Sequence, residues 1–362
     1  MYKSQNKFLS NNIYKQFETE DNFLYQLDQS FDWSSLIEPV QQLANNERGG
    51  APRWSPKVMV KMLLLAFLYD RSDREMEEAA NYDIRVKHFL GLAINEQGPD
   101  YTSLCKFRQE VLDEFGQDFF EELFHDILEQ AKKKGIKFGR LYALDAAHIN
   151  SSINGKKDSK ELKNGDRDKS KDEQADWGVK GAKTEVNEQG EKVKVLNSWF
   201  GYKLHALCET KYGIATKLHT SKASVADING GDYLFDKKLS NKEKQDIDTL
   251  TADKGYSSGV WINMLEQDEN IDTAFAVSEK LTDEGQHQQR WTSYMEDETK
   301  QKQRKKRSTI ERVFGDTKRN HGLDRSRYTS KAKTHMQALL TMAVHNLKKI
   351  IRALTGARFK PI

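Results

Sequence analysis

The sequence has 362 residues, of which 37% are hydrophobic and 31% charged, with a formal net charge of +3. That suits a globular chain with a polar surface, long enough for two domains or one large domain with insertions. It excludes several classes: Cys105 and Cys208 match neither a disulfide framework nor a zinc spacing, and the longest apolar run, from Val58 to Tyr69, is too short to span a bilayer and is interrupted by Lys61. The net charge is too small to announce a nucleic-acid partner by itself.

The first segment, MYKSQNKFLSNN, lacks the apolar core of a signal peptide, and with two unpaired cysteines a cytoplasmic location is expected. The next hundred residues are helical in pattern. Ser55 and Pro56 open a buried helix as N-cap and first helical residue. Ser72 and Glu75 form a capping box, Gly91 is a helix stop, and Asp100 to Ser103 cap a further helix. Another runs from about Gln117 to Lys134 and ends at Gly135. Short helices near 73–81 and 84–90 have the spacing of a helix-turn-helix. The expected domain is all-α and covers 1–137.

The pattern changes at KFGRLYALDAAHIN. Leu141 to Leu144 form an apolar run suited to a buried strand, with Asp145 at its end. Residues 150–194 are polar and charged, which reads as a mobile insertion. SWFGYKLHALCET and GIATKLHTSK follow as a hairpin, then a polar helix, then IDTLTADKGY, a strand ending in Asp253. IDTAFAVS is another strand, and a second insertion covers 279–303. Two helices close the chain, one carrying Glu311 and one with an apolar stripe from Met336 through Leu354. The expected catalytic domain is 138–355.

Three carboxylates stand out by position: Asp145 and Asp253 at strand ends, Glu311 on a helix within a basic stretch. Functional groups collect at strand ends in α/β sheets. Carboxylate oxygens suit magnesium, with manganese as substitute, and two such ions about 4 Å apart support phosphodiester chemistry. Other readings stay open here: Asp253 suits a turn former, and Glu311 suits an exposed helix with salt bridges. On a helical wheel Arg304, Arg307 and Lys318 fall within roughly 40° of Glu311. Arg312 and Arg319 flank that edge, which is arranged to follow a phosphate backbone.

These blocks, in this order, resemble the DDE transposases of bacterial insertion sequences, in the broad group named after insertion sequences four and five. The blocks are the helical GGAPRWSPKVMVKMLLLAFLYDRSDREMEEAANYD, LDAAHI, WFGYKLHALCE, TADKGYSS and STIERVFGDTKRNHG. The last is similar to a signature of Tyr, two residues, Arg, three residues, Glu, six residues, Lys. Arg307, Glu311 and Lys318 keep its spacing, and Arg304 stands where the signature has tyrosine.

The resemblance implies an α/β, ribonuclease H-like mixed-sheet core preceded by an all-α domain that recognises DNA ends. It implies Asp145, Asp253 and Glu311 as catalytic ligands of two Mg2+ ions, with Mn2+ able to substitute. Arg304, Arg307, Arg312, Lys318 and Arg319 would contact DNA, and Trp291 would stack on a flipped base or else anchor its insertion. The activity implied is cleavage at the inverted-repeat ends and joining of 3′-hydroxyls to target DNA. A metal-dependent nuclease without strand transfer and an inactive DNA-binding protein are the alternatives. The implied partners are double-stranded DNA and a second copy of the chain, as dimer or multimer, in a nucleoid-associated cytoplasmic setting with no membrane.

Overall fold

The computed structural model describes residues 7–44, 53–153, 171–186, 192–275, 292–293 and 296–360. The chain divides into two compact units, Met1–Lys137 with Leu339–Ile362, and Phe138–Ala338.

The first unit is helical: α1 Phe23–Ser30, α2 Pro56–Leu68, α3 Asp73–Tyr82, α4 Ile84–Leu90, α5 Tyr101–Phe115 and α6 Asp118–Lys133. Local chemistry sets their ends. Val58 N donates to Ser55 Oγ above α2, with Pro56 in its first turn. The Ser72–Glu75 capping box opens α3, and Gly91 closes α4 in the left-handed conformation at φ 75°. Ser103 N donates to the Asp100 carboxylate at the start of α5. In α2 every residue except Lys57 and Val58 is buried. The buried Lys61 is compensated: its ammonium pairs with Asp28 and donates to Phe89 O at 2.7 Å. It also lies 4.9 Å and 4.6 Å from the ring centroids of Trp33 and Phe89. Burial still pushes its pKa down to about 8.

The second unit is built on one mixed sheet. Its strands are β1 Leu141–Asn150, β2 Asp176–Val186, β3 Lys192–Glu209, β4 Ile214–Lys222, β5 Thr249–Ala252 and β6 Asp272–Thr273. The long β3 runs antiparallel to three strands, pairing with β2 through its first half and with β1 and β4 through its second. β5 then adds parallel to β1, and β6 parallel to β5. Helix α7, Asp227–Tyr233, lies against β1, β3 and β4. Helices α8 Glu298–Lys305, α9 Ser308–His321 and α10 Lys331–Thr355 follow.

Several expectations need correction. Residues 150–194 are not one mobile insertion, because β2 and the first residues of β3 lie within them. The carboxylate of Asp172, also in that stretch, is buried and accepts from Ser151 Oγ at 2.9 Å, from Ser330 N at 3.2 Å and from the Tyr202 hydroxyl. A polar sequence is held here by a neighbouring strand and a satisfied buried carboxylate rather than by an apolar face of its own. The insertion at 279–303 ends within α8, while Trp291 lies outside the described residues. The last helix was expected wholly within the second domain. It is split instead, with residues from Leu339 onward belonging to the first unit.

Candidate active site

The register of two strands sets the first pair of carboxylates. β1 and β5 are parallel, with Leu144 beside Ala252 as the last paired residues. The next residue on each is an aspartate, so Asp145 and Asp253 follow directly on the last paired positions of neighbouring strands. β5 is buried throughout and Tyr142 to Leu144 are buried on β1, which fixes both backbones up to that point. Asp145 is nevertheless not at the end of its strand. β1 continues to Asn150 against β3, and Asp145 sits where only the β5 pairing stops.

The two aspartates differ in environment. Asp145 is 17% exposed, and its Oδ1 accepts from Ala146 N at 2.8 Å. Burial pushes its pKa up to about 6; the Ala146 hydrogen bond, Arg307 and Lys180 oppose that, and the charge of Asp253 adds to it. Asp253 is exposed, and its Oδ1 accepts from Gly255 N at 3.2 Å, capping the short turn Lys254–Tyr256. The turn-forming role open to it from sequence is thus present, and it leaves the second carboxylate oxygen without a hydrogen bond among the described residues.

Glu311 lies in the first turn of α9, which packs on β1 and β3. Thr309, Ile310, Val313, Phe314 and Thr317 form the buried face. Glu311 itself is 49% exposed. Arg307 ties the site together: Nη2 is 2.6 Å from Glu311 Oε1 and Nη1 is 3.4 Å from Asp145 Oδ2. One guanidinium therefore neutralises carboxylates that come from a strand and a helix. Among the described residues no three carboxylate, imidazole or thiol groups stand close enough to enclose an ion.

The basic residues divide. Arg307 and Lys318 lie on either side of Glu311 in the chain, with Lys318 two turns along α9 and half-buried. Burial pushes the Lys318 amine down to about 8, against the pull of Asp324 and with Lys180 adding to the shift. Arg312 and Arg319 are exposed on α9, and Arg312 Nη2 donates to Thr309 Oγ1 at 3.2 Å. Arg304 is a correction. The helix breaks at Lys306 and Arg307, so Arg304 belongs to α8 and the continuous wheel through 304 does not hold.

Sequence reasoning missed Lys180, whose charge reaches Asp145, His148 and Lys318, because it stands in the stretch read as an insertion. It also passed over Tyr256, behind the Asp253 turn, whose hydroxyl feels the charges of Asp227, Asp145 and Asp253. The GYKLH block is structural in large part. The Tyr202 hydroxyl holds Asp172, Lys203 Nζ is 2.8 Å from Asp227 Oδ1, and the buried His205 ring meets Ser221 Oγ at 2.8 Å.

Residues 157–347, more than half of the chain, match the family model described as Transposase DDE domain. The chain belongs to the DDE transposase family. A second model, described as Transposase domain, matches residues 11–110 in the helical region. The DDE match contains Asp253 and Glu311 and begins beyond Asp145. The mixed sheet following a helical region is the ribonuclease H-like arrangement of such a transposase. Among solved structures the chain is similar to one titled cryo-EM structure of piggyBac transposase synaptic complex with hairpin DNA. The identity is 9% and the TM-score 0.44, over 98% of this chain and 78% of that one. Likeness at that level carries no functional detail. As a DDE transposase the protein is a nucleic-acid-processing enzyme, and no described helix is long and apolar enough to cross a membrane.

Proposed function

We propose that this transposase cleaves phosphodiester bonds at the inverted-repeat ends of an insertion sequence and joins the 3′-hydroxyls to target DNA. Asp145, Asp253 and Glu311 are its catalytic carboxylates. The observation that carries this reading is the β1–β5 register, which delivers two aspartates side by side, combined with Arg307 linking the first of them to Glu311.

The donor type suits a hard divalent cation, although the three groups do not converge on one point in this structure. All three groups are carboxylates, Asp145 is too buried to ionise easily without a positive partner, and Arg307 supplies that partner here. When bound, Mg2+ or Mn2+ ions activate the attacking oxygen and stabilise the leaving one. The chain's own residues do the rest. Asp145 and Asp253 hold fixed positions because their strands are buried, and Glu311 is presented by a helix anchored on the same sheet. Arg307, at the N-cap of α9, and Lys318, about 10 Å along that helix from Glu311, place positive charge on either side of the scissile phosphate, with Arg312 and Arg319 on the flank. The helical domain would recognise the DNA ends, and a dimer or multimer would pair two of them.

Strand transfer separates this reading from its rivals. A pre-cut duplex carrying the element's end and a free 3′-hydroxyl is mixed with a supercoiled plasmid, magnesium and the full chain. Covalent end–plasmid products are expected. Cutting without joining would make the protein a nuclease, and binding with neither would make it a DNA-binding protein.

A further inference from the structure

His148 and Trp199 form an aromatic pair on the sheet that the carboxylates do not use. Their ring centroids lie 5.4 Å apart, with the planes tilted by 46°. His148 stands three residues beyond Asp145 on β1, roughly 10 Å along the strand, and that odd spacing turns its side chain to the opposite face. Trp199 lies on β3, where its register partner on β2 is Gly178. A Cβ at Gly178 would fall 2.4 Å from Trp199 Cζ2, so the indole rests on bare backbone. Trp199 Nε1 donates to Tyr202 O at 3.2 Å, which fixes the ring's rotation. The ammonium of Lys203, the register partner of His148, lies 5.8 Å from the indole centroid. It is itself held by Val225 O at 2.7 Å and Asp227 Oδ1 at 2.8 Å. A tryptophan kept only for packing gains most from full burial. Here the indole is clamped in orientation yet only half-buried, and His148 is exposed. Positive charge lies close by. Partial loss of water around the His148 ring, and then the charges of Lys318 and Lys180, hold its pKa below the ordinary range, with Asp324 opposing. The imidazole is therefore mostly neutral at pH 7 and offers a π-face rather than a charge.

We infer that Trp199 and His148 form a stacking platform for an unpaired nucleobase of a DNA strand held on the sheet. This rests on the proposed function, which brings DNA to the protein. Every base has a π-face, so such a platform needs no particular sequence. The indole is already fixed by Gly178 and Tyr202 O and loses little freedom when a base arrives. Charge selects the occupant. Lys180 is exposed on β2, and its charge and that of Lys318 both reach His148. Together they attract the phosphates on either side of a stacked base and repel a basic peptide. The rings stand apart from Asp145, so they hold a strand and take no part in the chemistry.

The test uses two fluorescein-labelled strands of equal length and charge, a short oligothymidine and the same backbone with abasic sites throughout. A duplex serves as a third probe. Affinities are measured by anisotropy without divalent metal for the full chain and for Trp199→Leu, Trp199→Phe and His148→Ala. The unmodified chain is expected to bind the thymidine strand about tenfold more tightly than the abasic one. Trp199→Leu and His148→Ala should each abolish that preference, while Trp199→Phe, which keeps an aromatic ring, should retain part of it. Because His148 is exposed, its variant tests the platform even where Trp199→Leu fails to fold. Equal affinity of the unmodified chain for the two strands, with duplex binding intact, would overturn the inference and leave the proposed function standing. A preference that survives in both Trp199→Leu and His148→Ala would overturn it by placing the stacked base elsewhere. An equal fall on both strands in His148→Ala would overturn it too, by showing that no base is read there. No binding to duplex or to either strand would remove the DNA reading itself, and the inference with it.

Discussion

Asp145 illustrates how a single side chain can be held at a disadvantage. Burial raises its pKa to about 6, above the ordinary 3.8. In that window the folded chain holds a proton that the unfolded chain has released, so stability falls as pH rises from about 4 to about 6 and stays reduced above it. Asp145→Asn removes the charge. It is expected to raise the melting temperature at pH 7.5 without divalent metal and to lose most of that advantage near pH 4, where the folded carboxyl is neutral and the unfolded one only partly ionised. Paired melting curves at the two pH values check this. An advantage equal at both would show that charge burial is not the cause. At this scale the sequence was informative for Asp145, Asp253 and Glu311, since apolar runs and a basic helix single them out. Tyr256 and Lys180 were not legible: a lone tyrosine after a turn and a lysine in a polar stretch carry no periodic signal, and their importance comes from distant neighbours.

Helix ends were read directly from capping residues, because Ser55, Ser72, Gly91 and Asp100 act within a few residues of themselves. Elements decided by long-range pairing were harder. β2 has few apolar residues, and its existence depends on pairing with β3 across a chain reversal. β1 extends past Asp145 because β3 continues beside it, which the run Leu141–Leu144 alone does not reveal. The break between α8 and α9 falls at Lys306–Arg307, where no proline or glycine marks it. The approach of α7 to the sheet is equally tertiary. A Cβ at Gly230 would lie 2.2 Å from Cε1 of the buried His205 ring. Gly230→Ala should therefore destabilise the chain by about 1–3 kcal/mol through overpacking, as measured by urea denaturation. An unchanged midpoint would mean that α7 can move away from β3 freely.

For the whole molecule, a net charge of +3 hides a concentrated distribution. Lys305, Lys306, Arg307, Arg312, Lys318 and Arg319 lie along the chain on either side of one exposed glutamate, and the charge of Lys180 on β2 reaches Lys318. DNA affinity should fall linearly on a plot of log affinity against log salt, and Lys318→Ala should reduce the slope by about 1 if Lys318 neutralises one phosphate. Affinities measured across a salt series test this, and an unchanged slope would place Lys318 away from the DNA. The family was legible in sequence because its blocks occur in order, while the division of α10 between two compact units was not, since an unbroken apolar stripe gives no sign of a boundary. Asp145, Asp253 and Glu311 are proposed to act together in cleavage. The most direct measurement is magnesium-dependent nicking of a duplex carrying the element's end by the full chain and by Asp145→Asn, Asp253→Asn and Glu311→Gln. Nicking by the unmodified chain, with each variant binding the duplex normally but failing to cut it, is the predicted result. Undiminished nicking by any one variant would show that its carboxylate takes no part in cleavage.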